Sequence, residues 1–80
     1  MITPKINKVE TLEDYELLLY FETGEKKIYD MKKNLKYECF KKLKDEKLFK
    51  TVRPAGITIE WATGEDVNPD DLYLNSRLVN

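Results

Sequence analysis

The chain has 80 residues, 41% of them hydrophobic, which is enough for a single domain over residues 1–80 with one thin core. It contains no histidine and one cysteine, which excludes Ser-His and Cys-His nucleophile pairs, an internal disulfide, and zinc sites that need histidine or several cysteines. The net charge is −1, and no apolar run is long enough for a signal region or a membrane span, so a soluble, cytoplasmic protein is expected.

The first part of the chain has the pattern of antiparallel strands. Residues 5–9 form a weak strand candidate, and residues 11–14 supply a turn. In residues 15–21 the odd-numbered positions are all large and apolar, which is typical of a strand with one face in the core. A glycine-containing connection at residues 23–25 leads to a partner strand at residues 27–30. These segments predict a three-stranded meander.

The pattern changes to a helical period between residues 34 and 49. Apolar side chains recur there at helical spacing, namely Leu35, Cys39, Phe40 and Leu43. This spacing predicts an amphipathic helix with Asn34 as its N-cap and with Cys39 buried as a small hydrophobic residue. Asp45 is the expected cap of a second short turn.

Extended structure returns after the helix-breaking residues 52–56. The alternation of Ile57, Ile59 and Trp61 predicts a strand with these side chains on one face. A turn at residues 63–64 would lead into a partner strand at residues 65–67, which makes a second hairpin.

A short helix is predicted at the C-terminal end. Asn68 is a favourable N-cap, Pro69 fits the first helical turn, and the carboxylates of Asp70 and Asp71 face the positive end of the helix dipole. The chain therefore predicts an α+β fold. Its small, mostly antiparallel sheet comes from two hairpins or a meander, with a central amphipathic helical region and a short C-terminal helix.

These motifs carry a family resemblance. The matching segments are residues 4–6, 14–15, 19–25, 29–30, 49–52, 59–67 and 69–73. In their order they resemble the domain-of-unknown-function 2442 family over nearly the whole chain. The resemblance implies a small bacterial α+β fold without an assigned activity, and no catalytic residues carry over. It also implies a second small protein as neighbour, as in toxin–antitoxin-like pairs. The dense lysines of residues 41–50 depart from the family pattern.

The small net charge conceals an uneven distribution along the sequence. Residues 26–53 contain eleven basic and four acidic side chains, a local charge of +7, and the rest of the chain carries −8. If the helices cover one face of the sheet, this distribution predicts two opposed charged surfaces, which favour head-to-tail self-contact or a charged partner.

Two charged groups are candidate sites. The lysines of the middle segment are a possible nucleic-acid-binding surface, namely Lys32, Lys33, Lys36, Lys41, Lys42 and Lys44. A solvent-exposed helix face is the alternative, and we favour it because no nucleic-acid recognition motif accompanies these lysines. The acidic residues Glu60, Glu65, Asp66, Asp70 and Asp71 are possible metal ligands. Their spacing matches no calcium loop, and helix capping explains the last two, so no metal or cofactor is expected.

Exposed apolar and aromatic side chains are the candidates for a protein interface. The chain has five tyrosines and one tryptophan, more aromatic residues than a core this small is expected to take. The candidate interface residues are Leu18, Tyr20, Trp61 and Tyr73. Core filling is the alternative for each of them.

The favoured interpretation is a non-enzymatic bacterial protein-interaction or adaptor module, one member of a toxin–antitoxin-like pair. Its partner is a protein encoded next to it or a second copy of the chain. The alternative is a small nucleic-acid-associated regulatory protein that uses the lysine-rich segment. An enzyme is the least favoured reading, since histidine and a glycine-rich phosphate loop are both absent from the sequence.

Overall fold

The computed structural model describes residues 2–79, which form an antiparallel sheet with several short helices. The strands are β1 (Ile6–Thr11), β2 (Glu16–Phe21), β3 (Lys26–Asp30), β4 (Arg53–Ala55), β5 (Thr58–Glu60) and β6 (Arg77–Leu78). The α-helices are α1 (Glu46–Phe49) and α2 (Pro69–Leu74). Three 3-10 helices occupy Glu13–Tyr15, Lys32–Asn34 and Glu38–Lys44. The predicted α+β class is confirmed.

The main sheet has four strands in the order β1-β2-β3-β6. The predicted meander is confirmed, because β1 pairs with β2 and β2 pairs with β3, both antiparallel. The turn between β1 and β2 contains two consecutive non-glycine residues with positive φ, Asp14 and Tyr15. Strand β6, which the sequence analysis missed, adds to the free edge of β3 and brings the end of the chain into the sheet.

The second hairpin lies earlier in the chain than predicted. Strand β4 pairs with β5, and Gly56, with a φ of 68°, lies in the connection between them. The segment after Trp61 makes a tight turn and returns only as the isolated bridge between Glu60 and Asp66. Ile57 therefore lies in a turn and is exposed, so the prediction that it shares one strand face with Ile59 and Trp61 is wrong.

One face of the main sheet covers the core. The buried hydrophobic residues are Ile6, Leu17, Leu19, Phe21, Tyr29, Met31, Leu35, Leu43, Phe49, Ile59, Trp61, Val67 and Leu72. They include alternate residues of β2 together with residues from α1, α2 and β5. One side of the sheet is thus covered by the 3-10 helices, α1, α2 and the β4–β5 hairpin. The opposite side remains open.

The predicted amphipathic helix over residues 34–49 is wrong. The segment forms 3-10 helices and the single turn α1 instead. A 3-10 helix has about 3.0 residues per turn, so Phe40 and Leu43 lie on the same side and pack on the core. Cys39 lies off that side and is exposed, contrary to the prediction that it is buried.

The capping predictions for this segment have different outcomes. Asn34 caps no helix, because it lies at the end of a 3-10 helix and its side chain is buried. It donates hydrogen bonds to the Tyr29 hydroxyl and the Met31 sulfur instead. The Asp45 cap is confirmed, since its carboxylate accepts a hydrogen bond from the amide of Lys47 at the start of α1.

The predicted start of α2 is also confirmed. The side-chain oxygen of Asn68 accepts hydrogen bonds from the amides of Asp70 and Asp71, at 2.9 and 3.3 Å, and Pro69 occupies the first turn. These contacts satisfy amide groups that have no partner within the helix.

Replacing Asn68 with alanine removes this cap and is expected to lower the free energy of unfolding by about 1 kcal/mol. Urea denaturation followed by circular dichroism measures the loss. Asn68→Ser, which keeps a capping oxygen, is the control and should retain most of the stability. An equal loss in both variants would show that the capping oxygen does not stabilise α2.

Candidate interaction surface

Within the described residues 2–79, no layer of core residues covers the second face of the main sheet. Nine side chains on the strands point to this face, which we call the open face: Lys8, Glu10, Glu16, Leu18, Tyr20, Lys26, Ile28, Asp30 and Arg77. Leu18, Tyr20 and Ile28 belong neither to the buried core nor to the partly buried residues packed against it. The side chains of the open face are therefore available for contact with another molecule.

Cross-strand pairing arranges the open face in three rows, which we call the basic, central and acidic rows. The basic row contains Lys8, Tyr20 and Lys26. The central row contains Glu10, Leu18, Ile28 and Arg77, and the acidic row contains Glu16 and Asp30. Three cations and three anions make the face neutral overall. The charges are nevertheless separated along the strands, with the apolar pair between them.

Tyr20 is the centre of the basic row. The ammonium groups of Lys8 and Lys26 lie 5.3 and 5.5 Å from its ring centroid, a distance typical of cation–π contacts. Its hydroxyl donates a hydrogen bond to the Glu10 carboxylate at 2.8 Å. This hydrogen bond, helped by Lys8, holds the pKa of Glu10 below its ordinary value. The contacts hold the Tyr20 ring in one orientation, so it is a preorganised aromatic surface.

The acidic row places two carboxylates directly opposite each other on β2 and β3, where like charges repel. Each carboxylate has its own cation. Arg77 lies 3.5 Å from the Glu16 carboxylate, and Lys32 lies 3.1 Å from that of Asp30. Burial alone would raise the pKa of Asp30, but hydrogen bonds from the backbone amide and ammonium of Lys32 outweigh it and lower the pKa. The Asp30 carboxylate thus remains anionic at neutral pH.

Leu18 and Ile28 form the middle of the central row. They lie directly opposite each other on neighbouring strands and are only half-buried. Apolar side chains opposite each other on one sheet face contact each other. Leu18 is one of the predicted interface residues, whereas Ile28 is not. Strand alternation could have placed Ile28 on the outer face, because Ile28 is next to the core-facing Tyr29.

Trp61 is not an interface residue, and its inclusion among the interface candidates is wrong. The side chain is 1% exposed, and its indole nitrogen donates a hydrogen bond to the Phe49 carbonyl at 2.9 Å. The ring contacts the aromatic rings of Phe40 and Phe49, with centroid distances of 6.3 and 6.1 Å. Trp61 therefore connects β5 to the helical segment from inside the core.

Tyr73 lies on the covered side of the sheet, away from the open face. Its ring packs edge-to-face on Phe21 with a centroid distance of 5.1 Å, and the ammonium of Lys27 lies 3.7 Å from its centroid. Its hydroxyl donates a hydrogen bond to the Glu25 carboxylate at 2.8 Å. These contacts give Tyr73 a role in attaching α2 to the sheet. Of the four interface candidates, only Leu18 and Tyr20 share a surface.

The lysines proposed for nucleic acid binding are all exposed, namely Lys32, Lys33, Lys36, Lys41, Lys42 and Lys44. Two of them contact carboxylates, since Lys32 bridges Asp14 and Asp30 and Lys41 lies 4.0 Å from Glu38. Contacts of this kind reduce the local positive potential. Five of these lysines lie in two short 3-10 helices, and Lys36 lies in the turn between them, so they share no continuous helical face.

The carboxylates of the C-terminal segment have separate roles. Asp71 accepts hydrogen bonds from the Tyr29 hydroxyl and from Asn75, and Glu60 pairs with Arg53 at 2.6 Å. Within residues 2–79, no group of three or more histidine, cysteine or acidic side chains is placed to hold a metal ion. In the same part of the chain, no helix is both long enough and apolar enough to cross a membrane.

A cleft of about 280 Å³ lies beside the turn between β1 and β2. The residues around it are Thr11, Leu12, Glu13, Asp14, Tyr15, Glu46, Phe49 and Lys50. Tyr15 and Phe49 form an edge-to-face pair with a centroid distance of 5.1 Å. The lining side chains thus combine an aromatic pair, which packs with the core, with a rim of charged groups.

Comparison with known proteins identifies a family and nothing closer. A family model described as "Protein of unknown function (DUF2442)" matches residues 6–77, which include every helix and strand of the structure except the last residue of β6. No curated protein and no solved structure matches the chain.

Proposed function

The chain belongs to the DUF2442 family of proteins of unknown function, and we propose that this member is a non-enzymatic protein-interaction module that binds through the open face of its sheet. The observation that carries the proposal is the apolar pair Leu18 and Ile28 in the middle of that face, outside the core. Burying such side chains against a partner is favourable, by about 25 cal/mol for each Å² of apolar surface removed from water.

The surroundings of the apolar pair also support a protein interface. An aromatic side chain held by its neighbours loses little conformational entropy on binding, and Tyr20 is held by two cations and one carboxylate. Charged groups around an apolar centre are the usual arrangement of a protein interface. In its finer form, the proposal makes the chain one member of a toxin–antitoxin-like pair, with a protein encoded beside it as the partner.

A protein partner is favoured over nucleic acid on grounds of charge. Nucleic-acid surfaces attract a continuous basic patch, whereas the open face is neutral overall and the whole chain has a net charge of −1. The lysine surface remains the second candidate, because Tyr37 is 53% exposed there beside the ammonium of Lys36. A base could stack on such a tyrosine while the lysines contact phosphates, and the phosphate contacts would make binding fall steeply with salt.

The test compares capture of partners by wild type and by Leu18→Lys. Wild-type protein bearing an affinity tag should retain a protein from its own cells or a second, differently tagged copy of itself. Leu18→Lys places a charge in the apolar centre and should reduce capture at least about tenfold, since burying an unpaired charge costs well over 1.4 kcal/mol.

Leu74→Lys is the matched control for this test. Leu74 is 62% exposed at the end of α2, away from the open face, so the same substitution there should leave capture unchanged. Capture that survives Leu18→Lys and is lost in Leu74→Lys would contradict the proposed surface. Capture of nucleic acid alone, abolished by moderate salt, would favour the lysine surface instead.

A further inference from the structure

The basic and acidic rows of the open face are complementary to each other. Along the strands, the face runs from the basic row through the apolar pair to the acidic row. When two such faces meet with their strands antiparallel, the basic row of one lies on the acidic row of the other. From this pattern we propose that a second copy of this chain occupies the open face, in a two-fold symmetric dimer. This inference rests on the proposed function and specifies its partner.

The basic and acidic rows fit each other in only one orientation of the two-fold axis. An axis parallel to the strands would place basic row on basic row and acidic row on acidic row, which is repulsive. An axis across the strands reverses the rows, so that Lys26 of one copy faces Asp30 of the other, and Tyr20 of one copy faces Glu16 of the other. Leu18 and Ile28 then meet their own counterparts, as the self-complementarity of a two-fold interface requires. Glu10 and Arg77, at the two ends of the central row, also meet their own counterparts, and these like charges weaken the contact.

The carboxylates of the acidic row are suited to such a contact. Asp30 and Glu16 have only partly exposed carboxylates, and each already has one cation of its own chain within 3.5 Å. A carboxylate has room for further donors, so an incoming ammonium or hydroxyl group adds to these contacts. Sheets that pack face to face lie about 10 Å apart with strand directions within about 30°, which is compatible with this pairing.

The size of the face limits the strength of the dimer. The sheet has three strands of five or six residues and the two-residue strand β6, so at about 4.8 Å spacing it spans at most roughly 19 by 20 Å. The area of such a face is well below the roughly 800 Å² that each partner contributes to a standard stable interface. We therefore expect reversible association that depends on protein concentration in the micromolar to millimolar range.

The decisive experiment is a charge exchange between Lys26 and Asp30, with association measured by sedimentation equilibrium over a wide concentration range. Lys26→Asp alone and Asp30→Lys alone each create two repulsive contacts in the dimer, so each should associate at least about tenfold more weakly than wild type. An equal mixture of the two variants creates two attractive contacts and should recover association. The double variant, with both changes in one chain, should also recover it.

Folding of every variant is checked by circular dichroism, because the Asp30 carboxylate also accepts a hydrogen bond from the Lys32 amide. If Asp30→Lys does not fold, Leu18→Lys and Lys26→Asp still test the surface, with Leu74→Lys as the control that should associate like wild type. A monomeric wild type at millimolar concentration would overturn the inference, and so would association that Leu18→Lys leaves intact. If the wild type is monomeric and a different protein is captured through Leu18, the dimer fails while the proposed function stands.

Discussion

Replacing Trp61 with alanine is expected to lower the free energy of unfolding by about 3–5 kcal/mol, the range for truncating a buried aromatic side chain. Trp61 is among the largest fully buried side chains of the structure. The indole ring contacts Phe40 and Phe49, and its nitrogen satisfies the Phe49 carbonyl. Because small domains are stabilised by only about 0.05–0.15 kcal/mol per residue, this loss removes a large share of the total.

Urea denaturation followed by circular dichroism measures the effect, since the variant lacks the tryptophan fluorescence signal. Trp61→Phe separates the contribution of packing from that of the hydrogen bond, because it keeps much of the packing but leaves the Phe49 carbonyl without its donor. We expect an intermediate loss of about 1–3 kcal/mol for it. Tyr37→Ala is the matched control, an exposed aromatic whose removal should change stability by at most about 0.5 kcal/mol. A similar loss in Trp61→Ala and Tyr37→Ala would contradict the buried position of Trp61.

The second large effect is expected at the buried hydrogen-bond network around Tyr29. The Tyr29 hydroxyl accepts a hydrogen bond from the Asn34 side chain at 2.7 Å and donates one to the Asp71 carboxylate at 2.8 Å. This network joins β3 to the following 3-10 helix and to α2. Burial, with smaller effects from Asp71, raises the pKa of Tyr29 well above its ordinary value, so the hydroxyl remains a donor at all physiological pH values.

Tyr29→Phe is expected to lower the free energy of unfolding by about 1–3 kcal/mol, because the buried Asn34 amide loses a partner and the Asp71 carboxylate loses a donor. Tyr73→Phe is the matched control, since its hydroxyl also bonds a carboxylate but at a more exposed site. We expect a smaller loss there. Combining Tyr29→Phe with Asn34→Ala should give less than the sum of the single losses, because both variants break the same contact. Strict additivity would show that the two residues do not interact.

Strands β1, β2 and β3 and the caps of α1 and α2 could be predicted because local patterns determine them. The alternation of residues in β2 and the capping side chains of Asn68 and Asp45 act over a few neighbouring residues. Part of the open face could be predicted in the same way, since alternation alone places Leu18 and Tyr20 opposite the core-facing residues of β2.

The helical middle of the chain could not be predicted from its period. Leu35, Cys39 and Leu43 match a 3.6-residue repeat, yet the core accepts only Leu35 and Leu43. The segment forms short 3-10 turns instead, which have about 3.0 residues per turn. The side chains that face the core therefore no longer follow a 3.6-residue spacing. Trp61 shows the same limit. Alternation predicted its face on the strand, but only the packing of Phe40 and Phe49 around it decides that this face is fully covered.

By itself, the sequence determined the strand alternation, the helix starts and the family, because these depend on neighbouring residues or on the order of motifs along the chain. Only the tertiary structure decided which sheet face is open and how its charges are arranged. Lys8, Lys26 and Arg77 are distant in sequence, and β6 is too short to show a period, so strand pairing alone brings them onto one face. The uneven charge along the chain therefore did not predict the arrangement of charges on the folded surface. Ion pairs such as Lys32 with Asp14 and Arg53 with Glu60 connect the basic middle to the acidic segments.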